Sequence, residues 1–180
     1  AERKFRALES RTSVACSKYF ERRQGYAQAS QRIKNASKEE IEKLRKKFLD
    51  KAASIAEGYE LLLSGKSIAV EELFDALLEA PARVNEIDLL AESRPRGLLE
   101  FFSRRKDEEA AREAKAAVLK HVSQELVDKI LPIKEMESQE LAKLGAQFAD
   151  LKGLEAACKE VEAQRAELEK QREELRSKFL

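Results

Sequence analysis

Between Leu141 and Phe179, apolar side chains return every three or four residues. The series is Leu141, Leu144, Phe148 and Leu151, then Leu154, Cys158, Val161, Leu168, Leu175 and Phe179. A stripe with a period of 3.5 residues buries one seam of a helix against another helix. No strong stop lies between Pro132 and Leu180, so the pattern predicts one final helix of roughly 70 Å at 1.5 Å per residue. Such a helix is too long to bury its stripe against a compact domain built from a chain of this length, and it requires helical partners. The repeat carries one fault: a spacing of three follows a spacing of three at Phe148, Leu151 and Leu154, beside Gly153. That is a three-residue insertion, which overwinds a supercoil locally. Arg165 and Arg172 stand at seam positions, where long basic side chains either snorkel to solvent or set register.

A second heptad opens the chain. Phe5, Thr12, Tyr19, Tyr26 and Ile33 lie seven apart, with Leu8, Ala15, Arg22, Ala29 and Ala36 between them. The apolar phase then shifts to Ile41, Leu44, Phe48, Ala52, Ile55, Tyr59 and Leu62. A turn at Asn35-Ala36-Ser37 explains the shift, because Ser37 and Glu40 have capping-box spacing. One continuous helix that changes its buried face is the alternative. Gly65, after Leu61-Leu62-Leu63, reads as the cap that ends this helical stretch. Residues 66–102 are denser in apolar side chains. Ile68, Val70, Leu73, Phe74, Leu77 and Leu78 suit a short helix, and Pro81 starts another at about 82–92 with Val84, Ile87, Leu90 and Ala91 on one face. Helix resumes through His121 and Val122 and ends or kinks at Pro132.

Composition agrees with this pattern. The chain has 180 residues, 38% of them charged, with three Pro and no Trp. Ala, Glu, Lys, Leu and Arg dominate, as in long helices, and no segment reads as a strand. The fold class expected is all-α: an elongated antiparallel helical bundle or coiled coil with a small compact helical head. The expected division is 1–65 as an N-terminal helical hairpin or one long kinked helix, 66–102 as the short-helix hydrophobic head, and 103–180 as two long helices kinked at Pro132 and ending in the coiled coil.

Chemistry finds little support. Glu60 to Ser67 ends in Ser-Gly-Lys-Ser, but a phosphate-binding loop needs a glycine where Glu60 stands and a strand before it. His121 is the sole histidine and sits near an apolar stripe, which suits a partly buried, solvent-linked or core histidine better than a general base. Cys16 and Cys158 lie far apart and read as buried small side chains of a reduced protein. No catalytic, cofactor or metal site is expected. Net charge is +1 overall. Residues 1–66 hold 16 basic and 9 acidic side chains, and the acidic segment 67–100 is their natural counterpart. Two basic clusters are candidate anion-binding sites: Lys43, Arg45, Lys46 and Lys47, and Arg94, Arg96, Arg104, Arg105 and Lys106.

The function expected is that of a non-enzymatic scaffold or adaptor that self-associates, as a homodimer, and binds other helical proteins. Its interaction seam would be Leu141, Leu144, Phe148, Leu151, Leu154, Val161, Leu168 and Leu175. The alternative is a helical module that binds anionic membrane or nucleic acid through the two basic clusters. No small-molecule substrate is expected. No signal peptide or transmembrane segment is seen, so an intracellular location, cytoplasmic or nuclear, is expected for what looks like a piece of a longer chain.

Overall fold

The computed structural model describes residues 2–92 and 101–179, and for Glu2 and residues 101–105 it describes the backbone alone. The protein is mostly helical. Helix α1 spans Glu2–Ala56. Strands β1 (Tyr59–Leu63) and β2 (Lys66–Ser67), helix α2 (Val70–Glu79), a 3₁₀ segment (Pro81–Glu86) and strand β3 (Ile87–Ala91) follow. Helices α3 (Phe101–Gln147) and α4 (Leu151–Lys178) complete the order.

The chain forms two compact units. One comprises residues 1–35 and 137–180, the other residues 36–136. In the second unit the strands form one antiparallel sheet in the order β2-β1-β3. Leu61 and Leu63 of β1, with Ile87 and Leu89 of β3, are buried, whereas Glu60 and Asp88 point outward. Alternation of this kind covers one face of a sheet and leaves the other to solvent. The covered face packs on Leu73, Phe74 and Leu77 of α2, Phe48 and Ala52 of α1, and Leu119, Leu126, Val127 and Ile130 of α3.

Three polar contacts position these elements. Lys134 donates to the carbonyl of Leu78 in the last turn of α2, where helix carbonyls lack partners. Arg112 of α3 donates to the Leu89 carbonyl at 3.0 Å, and the Leu89 amide donates to the Asp88 side chain at 2.8 Å. These contacts occupy backbone groups on β3, an outer strand of the sheet, and so hinder strand addition there.

Several sequence expectations change. The hairpin expected within 1–65 gives way to its alternative, because α1 runs without a turn through Asn35, Ala36 and Ser37. Ser37 is buried instead of capping a new helix. The helix ends at Ala56, before Gly58 at φ 79°, and not at Gly65. The segment 59–63 is a strand, and so is much of the helix expected at 82–92. The head is therefore not all helical, and the statement that no segment reads as a strand is corrected. Leucine runs carry no period that separates a short buried strand from a helix, so pairing between β1 and β3 decides. Pro132 lies inside α3 and does not end it. The final helix is instead divided at Phe148–Asp150. Helices α1 and α3 each contribute residues to both units.

Candidate functional site

The unit made of 1–35 and 137–180 holds all eight residues of the expected interaction seam. Its contacts run in opposite chain directions: Glu9 meets Arg165, Cys16 meets Cys158, Arg22 meets Asp150, and Tyr26 meets Phe148. Partner numbers fall as α1 numbers rise, so the two segments are antiparallel. Leu144 and Cys158 are buried, and Leu141, Phe148, Leu151, Leu154, Val161 and Leu168 are half-buried. On α1 the matching residues are Leu8, Thr12 and Cys16, all buried. The buried Thr12 hydroxyl donates to the Leu8 carbonyl one turn back at 2.8 Å, which satisfies it without a cross-helix partner.

Cys16 and Cys158 form a disulfide, with Cα atoms 4.9 Å apart across 142 residues of sequence. This corrects the expectation of two separate thiols. Cysteines at facing seam positions of antiparallel helices fall within the Cα range that a disulfide spans. Sequence spacing cannot show that proximity, because it depends on where the chain turns back. Oε1 of Glu162 lies 3.7 Å from Cys16 Sγ. These three residues form a group of metal-ligating type, but bonded sulfurs are not thiolates and offer a metal no thiolate ligand.

The seam fault has a structural counterpart. α3 ends at Gln147 and α4 begins at Leu151. Across the break, Ala149 N–H bonds to the Ala146 carbonyl and Leu151 N–H to the Phe148 carbonyl. These are i to i−3 bonds, tighter than those of an α-helix, and they fall at the first of the two three-residue spacings, Phe148 to Leu151. Arg22 secures the break from α1. It donates to the Gln147 carbonyl at 3.0 Å and to Asp150 Oδ1 at 2.9 Å, and its guanidinium stands 4.2 Å from the Phe148 ring centroid. The hydrogen bond and charge of Arg22 hold the Asp150 carboxyl below its ordinary pKa. Gly25 faces the same ring, which a Cβ at that position would meet at 3.6 Å.

Toward residues 3 and 179 the seam opens. Leu175 is 53% and Phe179 87% exposed. With Phe5, Leu168 and Arg172 they line a cavity of about 640 Å³. The two seam arginines both reach across to α1: Arg165 approaches Glu9 at 3.7 Å, and Arg172 lies 5.2 Å from the Phe5 ring centroid.

Of the two basic clusters, the side chains of Lys43, Arg45, Lys46, Lys47 and Lys106 lie among the described residues. Lys43 and Arg45 pair with Glu40 and Glu42, at 3.4 and 3.7 Å. Arg45 also lies over the Phe74 ring. Lys46, Lys47 and Lys106 are exposed. Arg94 and Arg96, and the side chains of Arg104 and Arg105, lie outside the described residues. His121 is exposed to solvent, with Nε2 3.2 Å from Glu125 Oε1.

The Ser-Gly-Lys-Ser segment is the turn of the β1–β2 hairpin. Ser64 and Gly65 both have positive φ, 52° and 75°, between the paired residues Leu63 and Lys66. Two such residues make the turn whose twist matches a hairpin. The Ser64 hydroxyl donates to Glu86, which Arg83 also binds, and both contacts lower the Glu86 pKa. Among the described residues, no helix is long and apolar enough to cross a membrane. No family model, curated protein or solved structure matches the chain.

Proposed function

We propose that this chain is a non-enzymatic scaffold or adaptor, an antiparallel helical module of coiled-coil type that works by association. The observation that carries the reading is the unequal burial of the 141–179 stripe. From Leu141 to Leu168 the stripe is covered or half-covered by the chain's own N-terminal helix, whereas Leu175 and Phe179 are exposed beside Phe5. A helix pair with an open apolar end gains by burying it against more helix, at roughly 25 cal/mol per Å² removed from water. The occupant proposed is a second copy, as a homodimer, with other helical proteins as further partners.

Light scattering after gel filtration at tens of micromolar tests this. The expected mass is twice that of the chain, falling to a single chain with Leu168→Glu and Leu175→Glu combined. A wild-type protein of single-chain mass would overturn the homodimer. Circular dichroism of the double variant must retain helix, so that dissociation is distinguished from unfolding.

A further inference from the structure

Only two cysteines occur in 180 residues. One lies on each helix of the antiparallel pair, and they meet at buried positions of one seam. We propose that Cys16 and Cys158 are a reversible thiol–disulfide redox site, exchanging with small disulfides and thiols, that clamps the α1–α4 pair and thereby restrains its open end. The site stands independently of the self-association reading.

The argument begins with what else holds that end together. Between the cystine and residue 3, the buried residues of α1 are Thr12 and Leu8, and Phe5 is half-buried. On α4, Val161, Arg165 and Leu168 are half-buried, and everything from Glu169 to Phe179 is exposed. Among the described residues, the polar and ring contacts that cross between the helices there are Glu162 beside Cys16 Sγ, the Arg165–Glu9 pair and the Arg172–Phe5 contact, and Arg165 and Glu9 are 42% and 51% exposed. Exposed pairs of this kind contribute little. Noncovalent contact past the cystine is therefore thin, and the covalent bond is its main restraint.

Access is available. Ala15 and Ala157, which adjoin the two cysteines in sequence, line an open groove with Val14 and Val161. The sulfurs are buried between α1 and α4, and local opening of the helix pair brings a small reagent to them.

Oxidation proceeds by exchange. The thiolate of one cysteine attacks a sulfur of a low-molecular-weight disulfide, forming a mixed disulfide and expelling one small thiolate. The thiolate of the second cysteine then attacks the protein sulfur of that mixed disulfide. The Cys16–Cys158 bond forms and the second small thiolate leaves. The two protein thiols are oxidised, the small disulfide is reduced to two thiols, and the protons lost by the cysteines pass to the departing thiolates. Two small thiols run the sequence in reverse: the first opens the protein disulfide to a mixed disulfide, and the second attacks its small sulfur, releasing the cysteine as the small disulfide re-forms.

The test uses the full chain equilibrated in glutathione buffers of different poise, quenched by alkylation and weighed by mass spectrometry, with hydrogen exchange measured at both extremes. Complete interconversion between two alkylated thiols and one internal bond is expected. Amides of residues 3–15 and 159–176 should exchange at least tenfold faster in the reduced protein, while those of Leu119–Ile130 remain unchanged. A Cys16→Ser variant should exchange at the fast rate in both buffers. The proposal is overturned if oxidation leaves both thiols free, or if exchange is the same in both states. It is also overturned if Zn²⁺ alone, added to the reduced protein, binds one-to-one and restores protection. That last result would make Cys16, Cys158 and Glu162 a metal site.

Discussion

Replacing Cys16 and Cys158 by alanine removes the covalent tie between the two helices, and the length of chain it closes sets the expected loss. In a fully unfolded chain the bond joins residues 142 apart, and restricting so long a loop is worth about 5 kcal/mol by the chain-entropy relation. When the unit of 1–35 and 137–180 opens alone, the loop is shorter. The unit of 36–136 stays folded, so the free segments are 17–35 and 137–157. Together these are about 40 residues, for which the same relation gives about 4 kcal/mol. The two values differ little because closure entropy grows only with the logarithm of length. Urea denaturation followed by circular dichroism, with hydrogen exchange to assign the loss to residues 3–35 and 137–176, measures it. Wild-type protein under a reducing phosphine supplies the same covalent change with no change of side chain. With the bond verified by mass in the reference sample, a loss below about 1 kcal/mol would refute the loop argument.

Three further outcomes are expected. Leu119 is fully buried in the 36–136 unit, so Leu119→Ala should destabilise that unit by about 2–5 kcal/mol in denaturant titrations; no measurable change would mean α3 does not cover the sheet. Gly65→Val should weaken the β1–β2 hairpin by about 1–2 kcal/mol, because φ 75° crowds a Cβ against its own carbonyl. The check is exchange at Ile68, whose amide bonds to the Leu61 carbonyl. Asp150 has its folded pKa lowered by Arg22, so its contribution is complete above its unfolded pKa of about 4 and is lost as pH falls through the folded value. Arg22→Met should therefore flatten the acid limb of stability below about pH 4 while leaving the slope between pH 5 and 7 unchanged. An acid limb identical to wild type would count against the Arg22–Asp150 contact.

The helical character of the chain was legible in its sequence because the signal is local. A 3.5-residue apolar period and the scarcity of β-branched residues act within each segment, whatever lies elsewhere. The fault at Phe148, Leu151 and Leu154 was legible for the same reason, and the break falls on its first member rather than beside Gly153. The strands were not legible. Tyr59–Leu63 is rich in leucine, which suits helix as well as sheet, and it becomes a strand by pairing with Ile87–Ala91, more than twenty residues away. The same distance argument applies to the candidate site. Cys16 and Cys158 carry no local sign of each other, and only the folding-back of the chain brings them within 4.9 Å. The stripe at 141–179 announced that a helical surface would be covered. Tertiary structure decided how far: the chain's own first helix covers or half-covers it to Leu168, and the antiparallel register leaves Leu175 and Phe179 exposed.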